Sequence, residues 1–254
     1  MTVAVSDGNV AAPDMGMEEG DMQEGDMQPP PEADMFVEPP EPILVPEFGR
    51  VAERRILAQA HRSDGLSHPR DLAFDPDAPT NLWVVDRDWD GNVVLFDAGT
   101  ETQRIDRMRD VAASHFMEEV SSLAFSDRGS FGTCQESRNG FDGFAFPNDF
   151  MGPALWSTDL RVHSTVNQEQ GAMLNGSHLD MLHQSPLCMG MAHQTSHAFF
   201  VADGANGHVV LYDFQQPHVP GGHDHSDGRV SRYPELTFTR VPDVPSHMVM
   251  MGDD

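Results

Sequence analysis

Between two glycine-bounded turns, residues 221–228 read GGHDHSDG and place His223, Asp224, His225 and Asp227 within five positions. Imidazole nitrogens mixed with carboxylate oxygens suit zinc or a similar ion, while carboxylates joined by backbone carbonyls suit calcium. A second group, GSHLDMLHQSP at 176–186, carries His178 and His183 five apart, a spacing of neither a helix face nor a strand face, so both are expected in a loop. Neither spacing matches an established ligand motif, and a solvated His-rich loop is the plainer alternative. Ten of the thirteen histidines follow residue 160. No Gly-rich phosphate loop, GxSxG elbow or HExxH helix occurs, which leaves nucleotide-dependent and the common nucleophilic chemistries without a motif.

Any such loops need a scaffold, and the scaffold is written as a repeat. Pro69 to Asp86 reads PRDLAFDPDAPTNLWVVD and Pro186 to Asp203 reads PLCMGMAHQTSHAFFVAD, eighteen residues each without a gap. Both run on through a turn rich in Asn and Gly, WDGN or GANG, into VVLFD (93–97) or VVLYD (209–213). Leu72 with Phe74, and Met189 with Met191, alternate with the period of a half-buried strand. Trp83–Val85 and Phe199–Ala202 are apolar runs suited to a strand buried on both faces, so each unit reads strand, turn, strand, turn, strand. A weaker copy between them runs from Val120 to Cys134 and resumes at Ala154–Asp159. A fourth opens at Pro245 with PSHMVMMGDD. The aligned prolines make Asp71, Ser122, Cys188 and His247 equivalent, and set Cys134 where the other copies carry Asp86 and Asp203.

VADGANGHVVLYD and LWVVDRDWDGNVVLFD resemble the NHL repeat of β-propellers, over about residues 65 to 250. The resemblance implies an all-β fold, a β-propeller with NHL-like blades. Three blades and the start of a fourth are fewer than the four to eight that close most propellers. Residues 50–59, RVAERRILAQ, are a candidate strand ahead of them, and the chain reads as part of a longer propeller or, alternatively, as a small one completed by irregular segments. In peptidyl-hydroxyglycine amidating lyase, a propeller with similar repeats, histidines at the start of the innermost strands hold a zinc ion. Here only His247 has that residue, so that lyase activity is not expected, but His247 joins His178, His183, His223, Asp224, His225 and Asp227 as a candidate ligand at a channel mouth.

Residues 1–46 form a distinct segment, with eleven Asp or Glu, no Lys or Arg, and proline clusters at 29–31 and 39–40. Such a composition cannot bury enough apolar surface to offset chain ordering, so an unstructured acidic linker is expected ahead of a domain over 47–254. The spacer is similar to the stalk of a surface lipoprotein, which would place the natural start upstream of Met1. A formal net charge of -26 disfavours nucleic acid and anionic membrane surfaces as partners and favours cations. No apolar run is long enough to span a bilayer. Two cysteines are present, Cys134 ending one strand and Cys188 preceding another on the same side. Their pairing as a disulfide fits an oxidising compartment, with two buried thiols as the other reading. The insertion 136–153, with Phe141, Phe144, Phe146, Phe150 and Met151, either lines a ligand mouth or covers the domain's end. Together these features lead to an extracytoplasmic binding module for a small molecule or protein at a His-rich mouth. A metal-dependent lyase or hydrolase using the same face, and a purely structural surface module, are the alternatives.

Overall fold

The computed structural model describes residues 58–88, 91–127, 129–138, 150–169, 175–242, 244 and 246–251. The expected linker 1–46, most of the segment 50–59 and the phenylalanines Phe141, Phe144 and Phe146 lie outside them. The described strands belong to one compact unit, Ile56–Asp254. They form three four-stranded antiparallel sheets, each built from consecutive strands. The first contains β1 (Pro69–Asp75), β2 (Ala78–Asp86), β3 (Gly91–Phe96) and β4 (Arg104–Arg109). The second contains β5 (Val120–Phe125), β6 (Ser130–Gln135), β7 (Ala154–Ser157) and β8 (Asp180–Met181). The third contains β9 (Cys188–Thr195), β10 (Ala198–Asp203), β11 (His208–Asp213) and β12 (Arg229–Thr237). No α-helix occurs among the described residues, and no helix there is long and apolar enough to cross a membrane.

The middle sheet is buried on both faces because its strands alternate between two cores. Phe131 on β6 and Trp156 on β7 turn toward the first sheet and pack with Trp83, Val85 and Val94. Cys134 and Leu155 turn the other way, against Met191, Phe199, Val201 and Tyr212 of the third sheet. Gly132 on β6 leaves the room that Met191 fills, since a Cβ there would sit 2.9 Å from the Met191 sulfur. Trp156 keeps its indole N–H satisfied by donating to Thr133 Oγ1 at 2.8 Å, as a buried indole requires.

The recurring aspartate at the end of the second strand has a clear task. Asp86 is fully buried and accepts the Ser67 and His68 amides at 2.6 and 2.8 Å and the Asp88 amide at 2.9 Å. Asp203, equally buried, accepts the Ala205 and Asn206 amides at 3.0 and 2.9 Å, closing the GANG turn. The outer strands β4 and β12 carry no alternating apolar pattern. They are polar edges, and Pro234 within β12 falls on such an edge, where a missing N–H is tolerated.

Strand pairing corrects the gapless alignment at its innermost strand. Trp83 opposes Val94 as Phe200 opposes Leu211, so the second and third strands follow the repeat. Opposite Asp86, Gln135 and Asp203, however, stand Pro69, Val120 and Cys188. Cys188 is thus level with Pro69, two residues from its expected equivalence with Asp71 and Ser122. Gln135, not Cys134, occupies the place of Asp86, because β6 continues one residue further and the Gln135 side-chain amide donates to the Phe116 carbonyl. The fourth copy adds no strand among its described residues, 246–251.

Cys134 on β6 and Cys188 at the head of β9 form a disulfide, with Cα atoms 5.9 Å apart. Ser122 Oγ lies 3.0 Å from the Cys134 sulfur. The bridge ties the inner side of the third sheet to the second.

Candidate metal centre at the outer strands

Among the described residues, one group of side chains could hold a metal ion: Asp180, His218 and Asp227, whose ligand atoms lie within 4.8 Å of one another. The backbone that presents them is fixed from below. Buried Asp110 accepts the Ser177 amide at 2.7 Å, the Ser177 hydroxyl at 2.5 Å and the Gln168 amide at 2.8 Å. Gly176, with φ +68°, is required beside it, since a Cβ would fall 2.3 Å from Asp110 Oδ1. Beyond this anchor the chain passes His178 and Leu179 to Asp180, which pairs with Leu155 of β7. The loop joining β11 to β12 lies alongside: the His218 amide donates to the Leu179 carbonyl at 3.0 Å and the Gly221 amide to the His178 carbonyl at 2.8 Å. Two segments some forty residues apart in sequence are thereby held side by side.

Asp180 is the centre of the arrangement. Its side chain is 0% exposed. Oδ1 accepts the Met181 amide at 2.7 Å and faces His225 Nδ1 at 2.7 Å. Oδ2 is buried without a hydrogen-bond partner, with His218 Nε2 standing 3.6 Å away. His218 Nε2 is in turn 2.9 Å from Asp227 Oδ1. That bond holds the Asp227 carboxyl below the ordinary carboxylate range. An unpaired carboxylate oxygen in a buried setting carries a desolvation cost that a nearby cation offsets. A divalent ion between Asp180 Oδ2, His218 Nε2 and Asp227 Oδ1 would supply that charge and take the place of the imidazole proton. The donor set fits the group.

The other candidate ligands have different tasks. His225 is 12% exposed, its Nδ1 turned to Asp180 and its Nε2 buried without a partner, so it orients the carboxylate. His178, buried, meets the Asn175 carbonyl through Nδ1 at 2.6 Å and the Gly222 carbonyl through Nε2 at 3.2 Å. Burial holds its pKa below the usual imidazole value. His183 stacks on Phe150 at 4.3 Å and meets the Phe150 carbonyl at 2.7 Å. Burial lowers its pKa too. Phe150 and Met151 are themselves buried, so the described end of the insertion covers the core. Asp224 caps Ser226, accepting its amide and hydroxyl at 3.1 and 2.7 Å, while His223 is exposed.

His247 does not join this group. Its Nδ1 lies 3.2 Å from Asp71 Oδ1 on β1, the innermost strand, whereas Asp180 is on β8, the outermost. The His-rich loop consequently lies along β8, at the edge of the second sheet opposite β5, and not beside His247. Of the seven residues singled out from sequence, His225 and Asp227 are brought to the cluster. Asp180 and His218 complete it without having been singled out. Asp180 sits two residues after His178 and His218 seven before His225, but only the pairing of the two segments reveals them.

No family model and no curated protein sequence matches the chain.

Proposed function

We propose that this chain is a propeller-type binding module of the extracytoplasmic space whose functional centre is a zinc site formed by Asp180, His218 and Asp227. The observation that carries the metal reading is the fully buried Asp180 carboxylate, whose Oδ2 has no hydrogen-bond partner and faces an imidazole shared with a second carboxylate. A mixed imidazole and carboxylate set favours zinc over calcium, which prefers oxygen alone. The propeller reading is supported by three consecutive four-stranded sheets that pack face to face and by their NHL-like repeat. The extracytoplasmic reading is supported by the disulfide, a bond that persists outside the reducing cytosol.

Elemental analysis of the purified protein should return about one zinc per chain, with zinc raising the melting temperature by mass action. Asp180→Asn should weaken zinc binding, measured by calorimetry, by more than the roughly 100-fold that loss of an outer-shell partner can cost. His225→Ala, which removes such a partner, should cost about 10-fold. His218→Ala tests the same centre from the more exposed side. Protein that neither holds zinc nor gains stability from it would sink the proposal.

One observation favours a metal-dependent hydrolase or lyase as the second reading. Three protein ligands leave a fourth position open, as in catalytic zinc sites, and the Asp227 side chain is 37% exposed. Azide should then perturb the visible spectrum of cobalt-substituted protein. An unchanged spectrum leaves the non-catalytic module.

A further inference from the structure

The innermost strands carry a second site, independent of the metal. Asp71 Oδ2 accepts the Leu123 amide at 3.0 Å and joins β1 to β5. His247, 3.2 Å from Asp71 Oδ1, brings the C-terminal segment back to β1. That segment also closes on β9, where a Cβ on Gly190 would stand 3.0 Å from the Met248 amide nitrogen. The three strands and residues 247–250 line one cavity of about 610 Å³. This is within the roughly 300 to 1,000 Å³ of small-molecule sites.

Its chemistry is two-sided. Leu72, Phe74, Phe125 and Met248 make apolar walls. Leu72 and Phe74 are 57% and 55% exposed, so large apolar surface on β1 stays open to a ligand. Asp77 and Asp127 are the acidic groups of the lining, with His193 and His247 beside them and no Lys or Arg. Asp127 accepts the Ser196 amide through Oδ2 at 2.8 Å, while Oδ1 stands 3.8 Å from His193 Nδ1. The Asp127 side chain is 54% exposed, and both carboxylates lie on the turns that end β1 and β5. An anion would meet two carboxylates in a chain of net charge -26. A bare hydrated metal ion gains nothing from apolar walls.

We propose that this cavity binds an organic cation: an apolar or aromatic body seated among Leu72, Phe74 and Met248, with a protonated or quaternary amine directed to Asp77 and Asp127. Phe74 and Phe125 are aromatic members of the same lining, a residue type that attracts cations. The site stands whether or not zinc occupies the outer centre.

The test compares three probes of similar size on the full chain, with and without EDTA: phenyltrimethylammonium, benzenesulfonate and benzyl alcohol. Calorimetry should show saturable binding of the ammonium that weakens as salt rises, and none of the sulfonate. Asp77→Asn with Asp127→Asn should weaken the ammonium by about tenfold, the loss of about one favourable charge contact. Both side chains are exposed and their amides are isosteric, so folding is not at issue. Phe74→Ser, also at an exposed position, should abolish binding of the ammonium. Equal binding of sulfonate or benzyl alcohol, indifference to the double Asn variant, or no binding at all would each overturn the proposal.

Discussion

Reducing the Cys134–Cys188 bridge is expected to lower the unfolding free energy by about 4 kcal/mol. The two cysteines are 54 residues apart in sequence, and opening a loop of that length restores chain entropy of about that size to the unfolded state. The bridge does not stand alone, since both sulfurs are fully buried in the cluster that includes Leu155, Met191 and Phe199. Reduction therefore leaves the apolar contact in place and removes the constraint. A loss of this size is a large share of the 5 to 15 kcal/mol typical of a folded domain. Guanidinium unfolding followed with and without dithiothreitol measures it, and Cys134→Ser with Cys188→Ser should reproduce the reduced midpoint. Coincident midpoints would mean that residual structure already confines the unfolded chain without the bridge, and the entropic account would fail.

The same pair of strands shows what the sequence could and could not convey. Trp83–Val85 and Phe199–Ala202 were readable because a strand buried on both faces has no polar alternation. The positions of Asp86 and Asp203 were readable because each closes a turn with its own carboxylate. The innermost register was not. Strand side chains have a period of two, so a slip of two residues leaves every residue on its expected face. Moving Cys188 from the level of Asp71 to that of Pro69 therefore breaks no hydrophobic rule. The disulfide expectation survived the slip because it rested on which ends of β6 and β9 share a side. The candidate metal centre is half legible in the sequence. His225 and Asp227 stand in a visibly ligand-rich loop, but Asp180 lies in LDML, where its neighbours are apolar. Its carboxylate acquires meaning only when the β11–β12 loop lies along residues 178–179.

Acid should destabilise the protein well above the range in which carboxylates protonate, with His163 the largest single cause. His163 is 0% exposed among Trp83, Phe131 and Trp156. Its Nε2 lies 3.1 Å from the Asn92 side-chain nitrogen, whose amide donates, so the ring is held neutral with Nε2 as acceptor. Burial pushes its pKa down to about 3. His115 is pushed down to about 4, first by burial and then by His183 and His178, which are themselves lowered by burial. In the unfolded chain these imidazoles protonate near 6.5. The folded values lie below the unfolded one, so below about pH 6.5 the unfolded state binds more protons and stability falls as pH falls. The loss is complete for His163 only near pH 3. Asp71, raised by burial, works the other way as it protonates, but it is one carboxyl against four imidazoles. From His163 alone the expected loss between pH 6.5 and 4 is on the order of 3 kcal/mol. Urea unfolding across pH 7.5 to 4, in EDTA to separate metal release, measures it. His163→Gln keeps an acceptor for Asn92 and cannot take the proton, so its stability should fall less steeply by about 1.4 kcal/mol per pH unit. Parallel slopes for the two proteins would show that the buried imidazole does not resist protonation, and the acid lability would then have to come from elsewhere.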